Sequence, residues 1–87
     1  MEDLTIAMQN YLETIFALSK ATSGARVSDI AAHLDVSKAS AHHAVRVLSS
    51  LGYVSTEKYQ EVYLTANGRR EAMLLEAKHR LIKALFS

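Results

Sequence analysis

Hydrophobic residues recur every three or four positions in four stretches of the chain, and this spacing predicts amphipathic helices. The first stretch runs from about Leu4 to Lys20. One face of this helix should be buried, and the opposite side carries polar residues. The predicted core residues are Leu4, Met8, Tyr11, Leu12, Ile15, Phe16 and Leu18, and the residues predicted on or near the outer side are Gln9, Asn10, Glu13 and Thr14.

Two shorter helices are predicted after Arg26, separated by a tight turn. In the first of them, Ser28 stands at an N-cap position and about two turns of helix follow. Ser37 can cap the second, which covers about residues 38–51 and stops at Gly52. The apolar residues that recur on the buried side of this second helix are Ala41, Ala44, Val45, Leu48 and Leu51.

Two segments rich in β-branched and aromatic residues follow, residues 53–56 and 62–64, with a charged stretch between them. They predict a β-hairpin. Residues 65–68 then cap a long last helix, in which apolar and polar residues fall on overlapping faces to the end of the chain. Helix, turn, helix and hairpin in this order predict a mainly α-helical fold with a small β-hairpin, a winged helix-turn-helix, as one domain over residues 1–87.

Composition narrows the class of protein. The chain has 87 residues and no Cys, so it fits one small domain without disulfide bonds or zinc–cysteine sites. No secretion signal or membrane span is visible, and we expect a cytoplasmic protein that does not bind membranes. A Gly-rich phosphate loop and a spaced Ser–His–Asp set are both missing from the sequence, so we expect neither an enzyme nor a small-molecule substrate.

The charge is unevenly distributed, although the net charge is only +1. Through Val36 there are five Asp and Glu against two Lys and Arg, whereas from Ser37 onward eight Lys and Arg oppose four Glu. Positive potential should therefore lie on the half that contains the helix at 38–51 and the hairpin. The outer face of that helix carries hydrogen-bond donors and cations that can reach DNA, which are Lys38, Ser40, His42, His43, Arg46 and Ser49.

Several motifs resemble those of a known family. They are Tyr11-Leu12-Glu13-Thr14-Ile15, Ala25-Arg26-Val27-Ser28-Asp29-Ile30-Ala31, Glu57-Lys58-Tyr59 with Leu64-Thr65 and Gly68, and Lys78-His79-Arg80. In these the chain resembles the diphtheria-toxin-repressor family, and more closely its manganese-responsive branch, the manganese transport regulators. The resemblance implies a homodimeric repressor that binds Mn(II) or Fe(II) and, when metal-loaded, binds palindromic operators of metal-uptake genes.

The resemblance also implies metal ligands at Asn10, Glu13 and His79. The other ligands would lie in a following helix, so the last helix, at about 65–86, should lead towards a dimerisation region absent from this chain. The relatives have Asp or Met where Asn10 stands, and iron-type relatives have an acidic ligand in the place of Lys83. Oxygen and imidazole donors suit Mn(II), but a neutral amide lacks the charge of a carboxylate, so weaker metal binding, or none, is expected.

Taken without the resemblance, the same residues have ordinary interpretations. Asn10 and Glu13, one helical turn apart, are typical of a solvated pair, and His79 between two cations is typical of a surface residue. His42 and His43 point about 100° apart on a helix and cannot chelate one metal ion. Together with His33 they could make DNA affinity rise at acid pH.

For DNA, the resemblance implies base and sugar contacts near the start of the helix at 38–51, which fall on Ser37, Ala39, Ser40 and His43. Serine hydroxyls donate hydrogen bonds and the Ala39 methyl can contact a thymine methyl, but no bidentate reader is present. We therefore expect only modest direct recognition of the DNA base sequence. The residues predicted to contact phosphates or the DNA backbone are Lys38, Arg46, Lys58 and Arg26.

Two alternatives remain open at this point. A metal-independent winged-helix regulator of the MarR kind would bind DNA equally well with and without divalent metal. A winged helix that binds another protein would present the same surfaces to that partner and show no steep dependence on salt.

Overall fold

The computed structural model describes residues 4–21, 24–57 and 61–86, with backbone alone at 84–86. It contains four helices and three short strands within these residues. In chain order they are α1 (Ile6–Ala21), β1 (Ala25–Arg26), α2 (Val27–Leu34), α3 (Lys38–Ser50), β2 (Val54–Thr56), β3 (Glu61–Leu64) and α4 (Ala66–Phe86). The predicted winged helix-turn-helix is confirmed.

The three strands form one antiparallel sheet in the order β1-β3-β2. The hairpin of β2 and β3, called the wing below, was predicted; in it Val54 lies opposite Leu64. Strand β1 was not predicted, because two residues are too short to show an alternating pattern. It exists through its pairing with β3, in which Ala25 lies opposite Val62 and Arg26 opposite Glu61.

The core lies between α1, α2, α3, the sheet and the first half of α4. Its largest fully buried side chains are Leu12, Ile15, Ile30, Leu48 and Val62. Two predictions about burial were wrong. Thr14, expected on or near the outer side, is only 6% exposed, because α1 contacts α2, α3, α4 and β3. Leu51, expected in the core, is 52% exposed, because it is the C-cap residue of α3.

The turn between α2 and α3 depends on one residue with positive φ. Asp35 has φ 56° and ψ 49°, the left-handed conformation that Asp adopts more readily than most residues. The next residue, Val36, donates its N–H to Ala31 O at 3.0 Å and closes the end of α2. The predicted start of α2 was wrong, however: Arg26, not Ser28, is the N-cap residue and makes no side-chain cap, because the strand pairing of β1 fixes where the helix begins.

The first turn of α4 is fixed to the end of α3 and to the wing. Thr65 Oγ1 accepts the N–H of Gly68 at 3.0 Å and donates to Gly52 O at 2.6 Å, so the predicted cap is confirmed. Gly68 is needed here because a Cβ at this position would lie 1.8 Å from Tyr53 O. Further along, α4 exposes Leu74, Leu81 and Ile82. None of the described helices is long and apolar enough to cross a membrane.

Candidate DNA-binding surface and metal site

Helix α3 has two clearly different faces, as the sequence predicted. Ala41, Ala44, Val45 and Leu48 are buried, and the small Ala side chains let α2 pack closely against α3. The side chains that face solvent along the other side are Lys38, Ala39, Ser40, His43, Arg46, Ser49 and Ser50. Of the α3 residues predicted to contact DNA, Lys38, Ala39, Ser40, His43 and Arg46 are exposed.

The first turn of α3 is capped by Ser37. Its Oγ accepts the backbone N–H of Ser40 at 3.1 Å, as expected of an N-cap serine. The hydroxyl oxygens of Ser37 and Ser40 also lie 3.0 Å apart, within hydrogen-bond distance.

An open groove of about 330 Å³ separates α3 from the wing and the start of α2. His42, Arg46 and Ser49 line it from α3, and Thr56 and Glu57 line it from β2 and the residue after it. Hydrogen-bond donors and a cation in an open groove of this kind can bind a phosphate backbone. The sequence did not indicate Thr56 as a contact, because the approach of the wing to α3 is a tertiary feature.

The remaining predicted DNA contacts are Arg26 and Lys58. Arg26 is exposed and lies on β1, at the N-cap of α2. Lys58 lies outside the described residues. His42 is half-buried and His43 is exposed, and the two do not share a face.

Two of the three predicted metal ligands are brought together where α1 packs against α4. Glu13 Oε1 and His79 Nδ1 are 3.3 Å apart, and their side chains are 26% and 53% exposed. Within the described part of the chain this oxygen atom is buried and has no hydrogen-bond partner. A buried carboxylate oxygen next to an imidazole nitrogen is a pair of donors suited to a divalent cation.

The third predicted ligand, Asn10, is exposed on α1 one turn before Glu13. Lys83 is exposed on α4, one turn beyond His79. The described residues contain no group of three or more His, Cys, Asp or Glu side chains that could hold a metal ion. The chain thus brings together two donors, Glu13 and His79, and Asn10 lies one helical turn before the first of them.

Polar contacts beside this pair involve Glu76, which the sequence analysis did not single out. Glu76 accepts from Arg80 on its own helix and from Lys20 at 3.4 Å across the α1–α4 contact. Lys20 Nζ also lies 4.6 Å from the centre of the Phe16 ring. The spacing of Glu76 and Arg80 is a helical i,i+4 pair and could have been read from the sequence, whereas the contact with Lys20 could not.

On the wing, the Tyr63 hydroxyl donates a hydrogen bond to Glu61. This bond raises the pKa of the Tyr63 phenol above its usual value, and partial burial and the negative charges of Glu61 and Glu57 act in the same direction. The Tyr63 ring lies against Gly24, where a Cβ would come within 2.8 Å of Cε1. The contact with Gly24 links β3 to the residue that precedes β1.

An exposed capped helix beside a hairpin, with a groove between them, defines a winged helix-turn-helix DNA-binding domain. The family model described as "Iron dependent repressor, N-terminal DNA binding domain" matches residues 3–62 of the chain. The chain belongs to this family, whose members are transcriptional regulators and not enzymes. The predicted resemblance is thereby confirmed.

Among curated relatives, the HTH-type transcriptional regulator MntR of Shouchella clausii is 37% identical over 79 residues, covering 91% of this chain and 55% of that protein. The chain thus spans about half the length of this relative.

Two solved structures are also similar. The IdeR of T. acidophilum has 28% identity and a TM-score of 0.71, covering 83% of this chain and 33% of that one. A MarR family protein of Mycobacterium tuberculosis in complex with DNA has 26% identity and a TM-score of 0.74, covering 93% and 60%.

Proposed function

We propose that this chain is the DNA-binding domain of a cytoplasmic, metal-dependent transcriptional repressor. In this proposal α3 enters the major groove of one half-site of a palindromic operator, and a divalent metal, Mn(II) or Fe(II), acts as corepressor. The observation that carries the proposal is the exposed, capped face of α3 in a chain of the iron-dependent repressor family.

The DNA-binding part rests on the chemistry of that face. In this proposal the exposed side chains of Lys38 and Arg46 contact phosphates, and those of Ser40 and His43, on the first two turns of α3, contact base edges or sugars. Arg26 and Lys58 are proposed as further backbone contacts, and Ser37 and Ala39 as contacts near the helix start. The complex of a MarR family protein with DNA supports a winged helix of this shape as a DNA-binding unit.

The metal part rests on the contact between α1 and α4. Glu13 Oε1 is buried without a hydrogen-bond partner among the described residues, and His79 Nδ1 lies 3.3 Å away. A bound cation would neutralise Glu13 and link the two helices. Asn10 is proposed as a third ligand through its carbonyl oxygen, and this all-oxygen-and-imidazole set favours a hard or borderline ion such as Mn(II).

A homodimer is part of the proposal because a palindromic site needs two recognition helices about one helical turn apart. The exposed apolar side chains of Leu74, Leu81 and Ile82 on α4 support self-association. Since the chain covers only 55% of its MntR relative, further ligands and dimer contacts are proposed to lie in the remaining part of a full-length protein.

The DNA proposal is tested by titrating the protein onto a palindromic duplex selected by the protein itself from a random pool. We expect the logarithm of the association constant to fall linearly with the logarithm of salt concentration, with a slope of about −0.9 per phosphate contact. A partner protein that binds the same surface, with no duplex bound at any salt concentration, would instead support a protein-interaction module.

The metal proposal is tested by titrating Mn(II), with Fe(II) and Zn(II) for comparison, while recording the melting temperature, sedimentation mass and DNA affinity. Binding to the native state should raise the melting temperature. Glu13→Gln and His79→Ala should remove that rise. Glu71→Gln, another half-buried carboxylate, and His33→Ala, another exposed histidine, are the matched controls and should leave it unchanged.

A metal-independent regulator of the MarR kind is the second candidate. The neutral amide of Asn10 and the fold match to a MarR family protein at a TM-score of 0.74 both favour it. DNA affinity and mass that stay the same over the whole Mn(II) titration would support this candidate and contradict the corepressor proposal.

A further inference from the structure

The second half of α4 makes little apolar contact with the rest of the protein. Within the described residues, Ala72 and Leu75 are the last buried side chains along α4, and those from Ala77 to Lys83 are all exposed. An open groove of about 250 Å³ lies between Phe16 and this part of α4, so apolar side chains do not fill the contact between α1 and α4. The position of His79 relative to α1 is therefore set largely by polar contacts.

Two polar contacts join α1 to this part of α4. Glu13 Oε1 lies 3.3 Å from His79 Nδ1, and Lys20 Nζ donates to Glu76 Oε2 at 3.4 Å. The two residues on α1 are seven positions apart, so a rise of 1.5 Å per residue separates the two contacts by about 10 Å along that helix. A helix held at a single point can pivot about it, whereas a second contact at this distance opposes the rotation.

The pair of Lys20 and Glu76 has further support from its neighbours. Arg80, one turn along α4, donates to Glu76 Oε1, and Lys20 Nζ lies 4.6 Å from the centre of the Phe16 ring. These contacts favour one geometry of each side chain, which lowers the entropy that the ion pair across the helices would otherwise cost. Both carboxylate oxygens of Glu76 are thus bound to cations of the protein, unlike Oε1 of Glu13.

We propose that Lys20 and Glu76 are positioning residues that hold the second half of α4 against α1 and so keep His79 opposite Glu13, where the two can bind a divalent cation. Neither Lys20 nor Glu76 is a metal ligand in this inference. It rests on the proposed metal-dependent function, and its effect on the helix contact is measured separately below.

The first test is calorimetric titration of Mn(II) into Lys20→Met, which keeps an aliphatic side chain over Phe16 and removes the ammonium group. We expect binding to weaken roughly two- to fivefold, the range for loss of one exposed ion pair. Lys20→Arg keeps the cation and should bind like the wild type. Lys78→Met is the matched control, because Lys78 is next to His79 and forms no ion pair among the described residues, and it should not weaken binding.

The sign of the effect separates positioning from the alternatives. Removal of a nearby cation favours a bound metal ion electrostatically, and release of Glu76 would also favour binding if Glu76 were itself a ligand. Unchanged or tighter binding in Lys20→Met would therefore overturn the inference, as would equal weakening in Lys78→Met. In a Glu76→Gln background, Lys20→Met should weaken binding no further, since the pair is already broken.

Amide hydrogen exchange of the metal-free protein tests the helix contact without metal. The second half of α4 should open more often when the ion pair is lost, so we expect the amides of residues 79–83 to exchange roughly two- to fivefold faster in Lys20→Met, and those of α3 to stay the same. If the wild type binds no Mn(II), the corepressor proposal fails and the exchange rates decide whether Lys20 and Glu76 hold α4. If the wild type binds Mn(II) but neither affinity nor exchange changes in Lys20→Met, only the positioning role fails.

Discussion

The DNA-reading half of the molecule, meaning α2, α3 and the wing, differs from the contact between α1 and α4 in the partners that polar side chains find within the protein. In the first, Glu61 accepts a hydrogen bond from Tyr63 and Ser37 caps α3. In the second, Glu13 Oε1 is buried beside His79 and has no hydrogen-bond partner in the described part of the chain. Glu61 and Ser37 are thus hydrogen-bonded within the protein, whereas Glu13 Oε1 contacts His79 at ion-pair distance without a hydrogen bond among the described residues.

This difference indicates which region keeps its shape without a bound ligand. An unsatisfied buried acceptor costs roughly 1–3 kcal/mol, and such groups call for an explanation of the kind that a bound ion provides. The face of α3 is formed by residues close together in the chain and requires no further partner to hold its shape. The α1–α4 contact joins residues from opposite ends of the chain, so a ligand there would stabilise the fold as well as the site.

The largest effect is expected from breaking the attachment of α4 to the DNA-reading half. In Gly68→Ala the new Cβ would lie 1.8 Å from the backbone oxygen of Tyr53, which no side-chain rotation can relieve. The helix preference of Ala, worth about 1 kcal/mol, offsets only part of this clash. We expect urea denaturation to show a loss of about 3 kcal/mol or more in the free energy of unfolding.

Gly24→Ala is the control for that substitution. Its Cβ would lie 2.8 Å from Cε1 of the Tyr63 ring, a side chain that can move. We expect a loss of about 1 kcal/mol, at the lower end of the range for overpacking. Equal losses for the two glycines would contradict the view that the backbone contact at Gly68 fixes α4.

The next effect concerns the charge of the α1–α4 site. Asn10→Asp adds a carboxylate one turn from Glu13, and metal affinity in carboxylate sites rises with ligand charge. We expect the Mn(II) dissociation constant, measured by calorimetry, to fall by roughly tenfold, which corresponds to about 1.4 kcal/mol. Gln9→Glu, on the same helix but adjacent in sequence, is the control, and an equal gain there would mean that general negative charge is responsible.

A smaller effect is expected on the DNA-reading side, where one cation is exchanged. Arg46→Ala should weaken binding several-fold on all duplexes alike and reduce the salt slope by about 0.9, the value for one phosphate contact. Arg70→Ala, an exposed arginine on α4, is the control and should leave the slope unchanged. A loss for Arg46→Ala that depends on the base sequence would instead make Arg46 a base reader.

Local patterns in the sequence predicted most of the DNA-reading half, because caps and helical periodicity act over a few residues. Ser37 and Gly52 stand where they were expected at the two ends of α3. The predictions failed at Ser28, Thr14 and strand β1, where pairing and packing with distant elements decide the outcome.

The same distinction between local patterns and contacts of distant elements applies to the candidate sites. The exposed face of α3 followed from periodicity, whereas the approach of Glu13 to His79 was expected only through a family resemblance, since nothing in the local sequence of either helix indicates it. The groove between α3 and the wing was not predicted, because it depends on where the hairpin packs. The effects of His33, His42 and His43 on the pH dependence of DNA binding stay a prediction.

The smallest effect concerns Glu61, the wing carboxylate that accepts a hydrogen bond from Tyr63. Because the hydrogen bond to Glu61 raises the pKa of Tyr63 in the folded state, this contact stabilises the fold fully below the unfolded-state pKa of about 10 and is lost as the pH rises through the raised folded-state pKa. Ultraviolet titration should therefore find a tyrosine, Tyr63, that ionises above the usual pKa range. Tyr63→Phe should remove that late step, and Glu61→Gln should return it towards the usual range. A late step that persists in Glu61→Gln would mean that burial is the main cause, and the contrast between Glu61 and Glu13 would then lose its basis.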